Sequence, residues 1–235
     1  LAPQMFAFLA ADVRNALTRD PDLLRRRRVV LVGAGLSGRM AARLILDHNP
    51  EARILAVDVA EANARALADL DPARSAALAL DPADPEAPAR LAREAEAFFR
   101  GRPCDLLLEC SSGHTTPLWA HPGFFRPGLC CLLFGFGLRG LTLTPALLQC
   151  SGVKILTSRG VGTADNRRET VRLLAGPFGD FVRQHFVRRL TLLPSLEEVA
   201  RLVAADRSHG TAVARGLYCA VPNPGDPENP DRTQP

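Results

Sequence analysis

The chain has 235 residues, of which 47% are hydrophobic, and this is enough to build the packed core of a globular protein. No apolar run approaches the roughly 18 residues of a membrane span without meeting a charge or a proline, so we expect no membrane span. The formal net charge is only +4, and the four adjacent arginines Arg25–Arg28 are typical of a solvated loop, which argues against a nucleic-acid or membrane surface.

The elements predicted along the chain alternate between helix and strand. A helix over Phe6–Leu17 and an arginine-rich connector, Thr18–Arg28, lead into the first strand. Apolar runs predict strands at Val29–Val32, Ala52–Val57, Ala76–Leu80, Asp105–Glu109, Leu129–Phe134 and Val153–Thr157. Helices are predicted at Arg39–His48, Glu61–Leu70, Pro85–Arg100, Thr115–Phe125 and Ala164–Leu174. This alternation predicts an α/β fold, a doubly wound parallel sheet of the Rossmann type with helices on both faces.

We predict four segments along the chain. They are an N-terminal helix and connector (1–28), a dinucleotide-binding domain (29–176), a C-terminal extension (177–221) and a disordered tail (222–235). The extension is predicted as a strand, a helix and a strand, at Phe186–Leu192, Ser195–Ala205 and Gly216–Val221. The tail is rich in proline, asparagine and aspartate and has almost no apolar residue, which is typical of disorder.

Three glycines with the spacing G-x-G-x-x-G follow the first predicted strand directly. Gly33 allows a sharp turn, Gly35 lets the backbone approach a pyrophosphate, and Gly38 lets the next helix pack closely on the strand. The amides of Leu36 and Ser37 would then point at the phosphates from the start of that helix. We therefore predict a dinucleotide site here; the alternative is a purely structural strand, turn and helix.

An acid completes this pattern at the end of the second predicted strand. Asp58 lies about 20 residues past Gly38, where a carboxylate accepts hydrogen bonds from the hydroxyls of the adenosine ribose. The residues that follow it, beginning with Val59, offer no positive charge to a 2′-phosphate, so we predict NAD(H) in preference to NADP(H). If NADP(H) bound more tightly, Arg65 would be the residue to suspect.

Two loops would line the path to the nicotinamide, because each follows the carboxyl end of a predicted strand and ligands bind at that edge of an open parallel sheet. The predicted lining residues are Cys110, Ser111, Ser112, Gly135, Phe136 and Gly137. No catalytic residue can be assigned. His114 is more typical of the polar start of a helix, and Glu109, at the end of a buried strand, is more typical of a structural hydrogen-bond partner than of a proton-transfer group.

The six cysteines indicate whether the protein binds a metal and in which cell compartment it lies, and the first residues indicate whether it carries a signal peptide. No two cysteines have the C-x-x-C spacing, and none combines with histidine at zinc-ligand spacing, so we predict no metal site. Most lie in apolar runs, which favours reduced core residues of a cytoplasmic protein. The chain opens on Leu1 without the features of a signal peptide, and we expect it to be part of a longer chain.

The order of these motifs resembles the medium-chain dehydrogenase/reductase family, of the zinc alcohol dehydrogenase type. The resemblance is carried by Val-Leu-Val-Gly-Ala-Gly at 30–35, by Asp58 and the helix after it, by Cys104–Cys110 and by Ser158–Thr163. It implies an NAD-dependent oxidoreductase that transfers a hydride between the nicotinamide and a small alcohol or carbonyl substrate, in a chain that could form a homo-oligomer.

The chain also departs from this family. Its members carry a barrel-like N-terminal domain that brings the zinc ligands and most substrate contacts, and nothing here corresponds to it. We therefore expect this chain alone to bind NADH and to reduce carbonyl substrates poorly. The second interpretation is a non-catalytic nucleotide-sensing module, although such a module has no need of Ser158–Thr163 or of the C-terminal extension.

Overall fold

A computed structural model describes residues 13–18, 20, 22–111, 127–134, 152–157, 168, 171–172, 175–185, 190–193 and 217–220. The chain divides into two compact units. One is Phe8–Thr170, and the other combines Leu1–Ala7 with Val171–Pro235. Among the described residues, no helix is both long enough and apolar enough to cross a membrane.

The first unit is built on a six-stranded parallel sheet. Its strands are β1 (Arg28–Val32), β2 (Arg53–Asp58), β3 (Ser75–Ala79), β4 (Leu106–Glu109), β5 (Cys130–Leu133) and β6 (Lys154–Thr157). They lie in the order β3-β2-β1-β4-β5-β6, so the chain turns back across the sheet between β3 and β4 and the switch point lies between β1 and β4. The predicted α/β, doubly wound fold is confirmed, and each of the six predicted strands is found within one residue at either end.

Helices join these strands. They are α1 (Leu36–His48), α2 (Glu61–Ala68) and α3 (Ala87–Phe98), and residues 13–18 form a further helical segment before β1. Helix α1 begins three residues before the predicted Arg39, because Gly35 caps it directly after the glycine turn. The predicted helix at Thr115–Phe125 lies outside the described residues. Of Ala164–Leu174 the structure describes only residues 168, 171 and 172, all of them helical.

The central strands are apolar because both faces of the sheet are covered. In β1 and β4, the side chains of Val29–Val32 and Leu106–Leu108 are at most 2% exposed. On one face of the sheet, Leu91 and Phe99 from the α3 region pack in one cluster with Leu107 of β4 and its neighbours. This rigid sheet fixes the positions of the loops at its carboxyl edge.

At the amino edge, the arginine run holds the connector to the sheet. Arg28 pairs with Asp105 at 2.9 Å, and the same carboxylate accepts the backbone N–H of Arg28 at 2.8 Å. Arg26 donates through Nη1 to the carbonyl of Gly128 at 2.7 Å. These arginines therefore have a structural role.

The second unit contains α4 (Pro177–His185) and a parallel pair of strands, β7 (Leu190–Leu193) and β8 (Leu217–Ala220). Both strands overlap predicted ones, but α4 was not predicted, although Phe178 and Phe181 have the i, i+3 spacing of a helix. Phe178 and Phe181 are buried and their ring centroids lie 5.5 Å apart. The predicted helix Ser195–Ala205 and the tail 222–235 lie outside the described residues, and the four predicted segment boundaries stay predictions.

Candidate functional site

The glycine turn follows β1 at the switch point of the sheet. Gly33 has a φ of +92°, a backbone conformation that side chains rarely adopt, and its N–H donates to the carbonyl of Val57 at 2.8 Å. A Cβ added to Gly33 would lie 2.5 Å from the backbone nitrogen of Ser111. The turn is therefore sharp and pressed against the loop that follows β4, so only glycine fits there.

Helix α1 packs on this turn through Gly38. A Cβ at that position would lie 2.1 Å from the carbonyl oxygen of Gly33 and 2.9 Å from Cδ2 of Leu31. Both distances are far below a normal carbon contact, so the absence of a side chain at Gly38 sets how closely the helix approaches the strand. This is the packing role that the sequence predicts for the third glycine.

Gly35 differs from the other two glycines because its surroundings are open. A Cβ built there meets no atom of the described residues within 4 Å, and its backbone (φ −70°, ψ −156°) has a conformation that any residue can adopt. Gly35 is the N-cap of α1, and its carbonyl accepts the N–H of Arg39 at 3.0 Å. The amides of Leu36 and Ser37 precede that first helical bond, so neither has a partner within the helix, and both lie at its positive end. A phosphate fits such a position.

Asp58 ends β2 beside this turn and is half-buried. Its Oδ2 accepts the backbone N–H of Ala34, between the first two glycines, at 2.8 Å. Its Oδ1 accepts the backbone N–H of Ala60 at 2.9 Å, and the side-chain amide of Asn63 donates to the same oxygen at 3.4 Å. The structure therefore brings the predicted ribose acceptor directly against the glycine turn.

Two of these contacts were not predicted from the sequence. Ala34 contributes its backbone N–H, which no side-chain pattern reports. Asn63 could have been found, because it lies in the first turn of α2 and an amide there can reach back to the preceding strand end.

Two residues that the sequence analysis named after Asp58 lie toward solvent. Val59 is 50% exposed, and Arg65 pairs with Glu61 at 2.5 Å on the solvent side of α2.

The loop after β4 reaches the turn from the other side. Glu109 is fully buried, and its Oε1 accepts the backbone N–H of Ser111 at 2.8 Å. The N–H of Cys110 donates to the carbonyl of Val32 at 2.7 Å, which ties the loop to β1. Burial, with the charge of Glu109 as a smaller cause, raises the pKa of the Cys110 thiol well above its usual value, so this thiol is neutral near pH 7. The other predicted lining residues, Ser112 and Gly135–Gly137, lie outside the described residues.

Cys104, Cys130 and Cys131 are buried, Cys110 is half-buried, and none of these four is in a disulfide. Burial raises the pKa of the Cys104 thiol to about 12, and it raises that of Cys131 as well. Within the part of the chain that the structure describes, no three histidine, cysteine or acidic side chains form a group that could hold a metal ion. The described thiols thus have the properties of core side chains.

Neither the family models nor the curated proteins include a match to this sequence. Solved structures do match. The chain is similar to AibC (TM-score 0.62, 21% identity over 90% of this chain and 58% of AibC) and to an alcohol dehydrogenase from Thermotoga maritima (TM-score 0.64, 13% identity, 86% and 53%). It is also similar to S. aureus TarJ in complex with NADPH (TM-score 0.58, 16% identity, 85% and 58%).

Further alcohol dehydrogenases are among the similar structures. The chain therefore has an alcohol-dehydrogenase-like fold, and at these identities the likeness concerns the fold alone. The chain spans a little over half the length of the three structures compared above, between 53% and 58%.

Proposed function

We propose that this chain binds a nicotinamide dinucleotide as the cofactor domain of an alcohol dehydrogenase-like oxidoreductase of the medium-chain type. The observation that carries the proposal is the open amino end of α1 at Gly35, which lies next to the Asp58 carboxylate at the switch point of the sheet. A helix end that can bind an anion, beside a carboxylate bonded to the same turn, matches the pyrophosphate and the ribose of a dinucleotide.

Each part of the proposed site has a defined task. The amides of Leu36 and Ser37 would hold the pyrophosphate, and Asp58 would accept a ribose hydroxyl. Cys110 and Ser111, together with the sequence-predicted Ser112 and Gly135–Gly137, would line the path to the nicotinamide. When bound, the nicotinamide supplies or accepts the hydride, while the chain binds and orients it.

We propose NAD(H) over NADP(H). A 2′-phosphate would face the Asp58 carboxylate, and two anions in a partly desolvated site repel by about 1–3 kcal/mol, or roughly tenfold to a hundredfold in affinity. Arg65, the cation that could have bound a 2′-phosphate, instead pairs with Glu61 on α2. The proposal for NAD(H) therefore depends on the charge of Asp58. TarJ, which shares the fold, has been solved with NADPH, so cofactor choice within this fold needs a direct comparison.

The proposal extends to a small alcohol or carbonyl substrate, to a reducing cytoplasmic environment and to self-association. Cys104, Cys110, Cys130 and Cys131 form no disulfide, which supports the reducing environment. The substrate class is supported by the alcohol dehydrogenases that share the fold.

Titration with NADH and with NADPH tests the proposal, using a variant that blocks the open helix end. The Cβ of a leucine at Gly35 would meet no described residue, so Gly35→Leu should leave the folded state intact while its side chain covers the Leu36 and Ser37 amides. We expect the Kd for NADH to rise at least about tenfold.

The control is Gly176→Ala in the second unit, where a Cβ would lie 3.9 Å from the carbonyl oxygen of Arg172, an ordinary contact. It should bind NADH like the wild type. Unchanged NADH affinity in Gly35→Leu would contradict the location of the site, and tighter binding of NADPH than of NADH would contradict the cofactor choice.

A further inference from the structure

We infer that Asp58 is a positioning residue for the glycine turn in addition to a ribose acceptor. Its carboxylate holds the turn in its binding geometry before any ligand arrives, so it controls the pyrophosphate contacts together with the ribose contact. This inference rests on the proposed dinucleotide site. One of its two tests, amide hydrogen exchange without ligand, does not depend on that site being correct.

The first step is the placement of the two carboxylate oxygens. Oδ2 accepts the N–H of Ala34, which belongs to the glycine turn, and Oδ1 accepts the N–H of Ala60, which belongs to the loop that opens α2. These two backbone segments are joined through a single side chain. Because a carboxylate is a charged acceptor, such bonds are shorter and stronger than bonds between neutral groups.

The second step is the burial of the donor. Ala34 is 0% exposed, so the structure gives water little access to its N–H if the carboxylate is removed. A buried donor without an acceptor is costly, and the turn would have to move to regain a partner. The N–H of Gly33 has its own acceptor in the carbonyl of Val57, so that end of the turn would keep its position.

The third step is the number of acceptor positions that remain. Each carboxylate oxygen accepts about two hydrogen bonds. Oδ1 accepts from Ala60 and, at 3.4 Å, from Asn63, whereas Oδ2 accepts from Ala34. A ribose hydroxyl would therefore bind at Oδ2, and one atom would hold both the turn and the ribose.

Two ligands separate the positioning role from simple ribose binding. ADP carries the diphosphate and the ribose hydroxyls, and 2′,3′-dideoxy-ADP carries the same diphosphate without the hydroxyls. If Asp58 served the ribose alone, Asp58→Ala would weaken ADP binding and leave dideoxy-ADP binding unchanged. We expect Asp58→Ala to weaken binding of both, with dideoxy-ADP weakened at least about fivefold, because the helix end is no longer preset for the diphosphate.

Two further variants sharpen the comparison. Asp58→Asn keeps a single acceptor oxygen for two N–H donors, so its effect on dideoxy-ADP should lie between wild type and Asp58→Ala. Asp84→Ala is the matched control, because Asp84 is exposed and accepts the N–H of Glu86 at 2.9 Å in the same local arrangement as Asp58 and Ala60. It should bind both ligands like the wild type.

Amide hydrogen exchange without ligand gives the independent arm. In the wild type the N–H groups of Gly33 and Ala34 should both be protected. In Asp58→Ala the Ala34 N–H should lose protection while the Gly33 N–H keeps it, which a general loss of stability would not produce. Unchanged dideoxy-ADP affinity, or continued protection of Ala34 in Asp58→Ala, would overturn the positioning role. If the wild type bound neither ADP nor NADH, the proposed function would fail, and amide exchange alone would decide the inference.

Discussion

Alanine substitutions at Gly35 and Gly38 should differ in their effect on stability, although they add the same methyl group three residues apart. At Gly38 the new Cβ would lie 2.1 Å from the carbonyl oxygen of Gly33, and both groups belong to the backbone. Helix α1 must then move away from the turn. Overpacking of this kind costs up to about 3 kcal/mol, and the higher helix propensity of alanine returns at most about 1 kcal/mol.

The net loss at Gly38 is therefore about 2 kcal/mol, which corresponds to a fall in Tm of about 4–8 °C for a chain of this size. At Gly35 the added methyl meets no atom within 4 Å in the part of the chain that the structure describes, so Gly35→Ala should keep the wild-type Tm within the scatter of surface substitutions. Urea unfolding measured by circular dichroism should give the same order of stability with an unchanged m value.

Nucleotide affinity should also change at Gly35, where stability does not. Gly35→Ala places a methyl group where a pyrophosphate would approach, so its Kd for NADH should rise without loss of stability. An equal or higher Tm for Gly38→Ala, or an equal fall for Gly35→Ala, would refute the assignment of close packing to one glycine and open space to the other.

Two further predictions follow from titratable side chains. Cys104 is buried with a thiol pKa of about 12, so iodoacetamide at pH 8 should leave it unmodified in the native protein and modify it in urea, as read by peptide mass spectrometry; native modification would contradict its burial. The hydrogen bond from Arg74 lowers the pKa of the Asp71 carboxyl from its ordinary value of 3.8. The ionised carboxyl therefore stabilises the folded state fully above pH 3.8 and loses this contribution as the pH falls through the lowered pKa. Asp71→Asn should therefore lose less stability than the wild type as the pH falls below about 4, and parallel acid curves would contradict this.

The sequence predicted the strands closely because of their burial on both faces. A run such as Val29–Val32 is short, continuously apolar, rich in β-branched residues and followed by glycine, which together favour a buried strand over a buried helix segment. The start of α1 was predicted three residues late, since its cap is Gly35, which carries no side chain to mark it. Helix α4 was missed because its apolar residues, Phe178, Phe181 and Val182, span little more than one turn, which is too short a pattern to predict a helix.

The sequence predicted which residues form the candidate site, but it did not predict the backbone hydrogen bonds that hold them together. The spacing of the glycines and Asp58 could be read directly, but the bond from Ala34 to Asp58 joins residues in different strand-end loops. It depends on the register in which Val32 of β1 lies beside Val57 of β2, and a single sequence does not contain that register. The buried Glu109 was expected to serve a structural partner, and the structure provides one in the backbone of Ser111.

These contacts explain how a turn made of small residues can be rigid. The turn lies between β2 and β4, and a carboxylate at the end of each of these strands binds a backbone amide beside it. Asp58 holds Ala34 from the β2 side, while Glu109 holds Ser111, whose backbone presses on Gly33 from the β4 side. Because glycine carries no side chain that could lock its own conformation, the neighbouring strands must fix the geometry. A helix end that is fixed in this way can bind an anion without first ordering the loop, which reduces the entropy lost on binding.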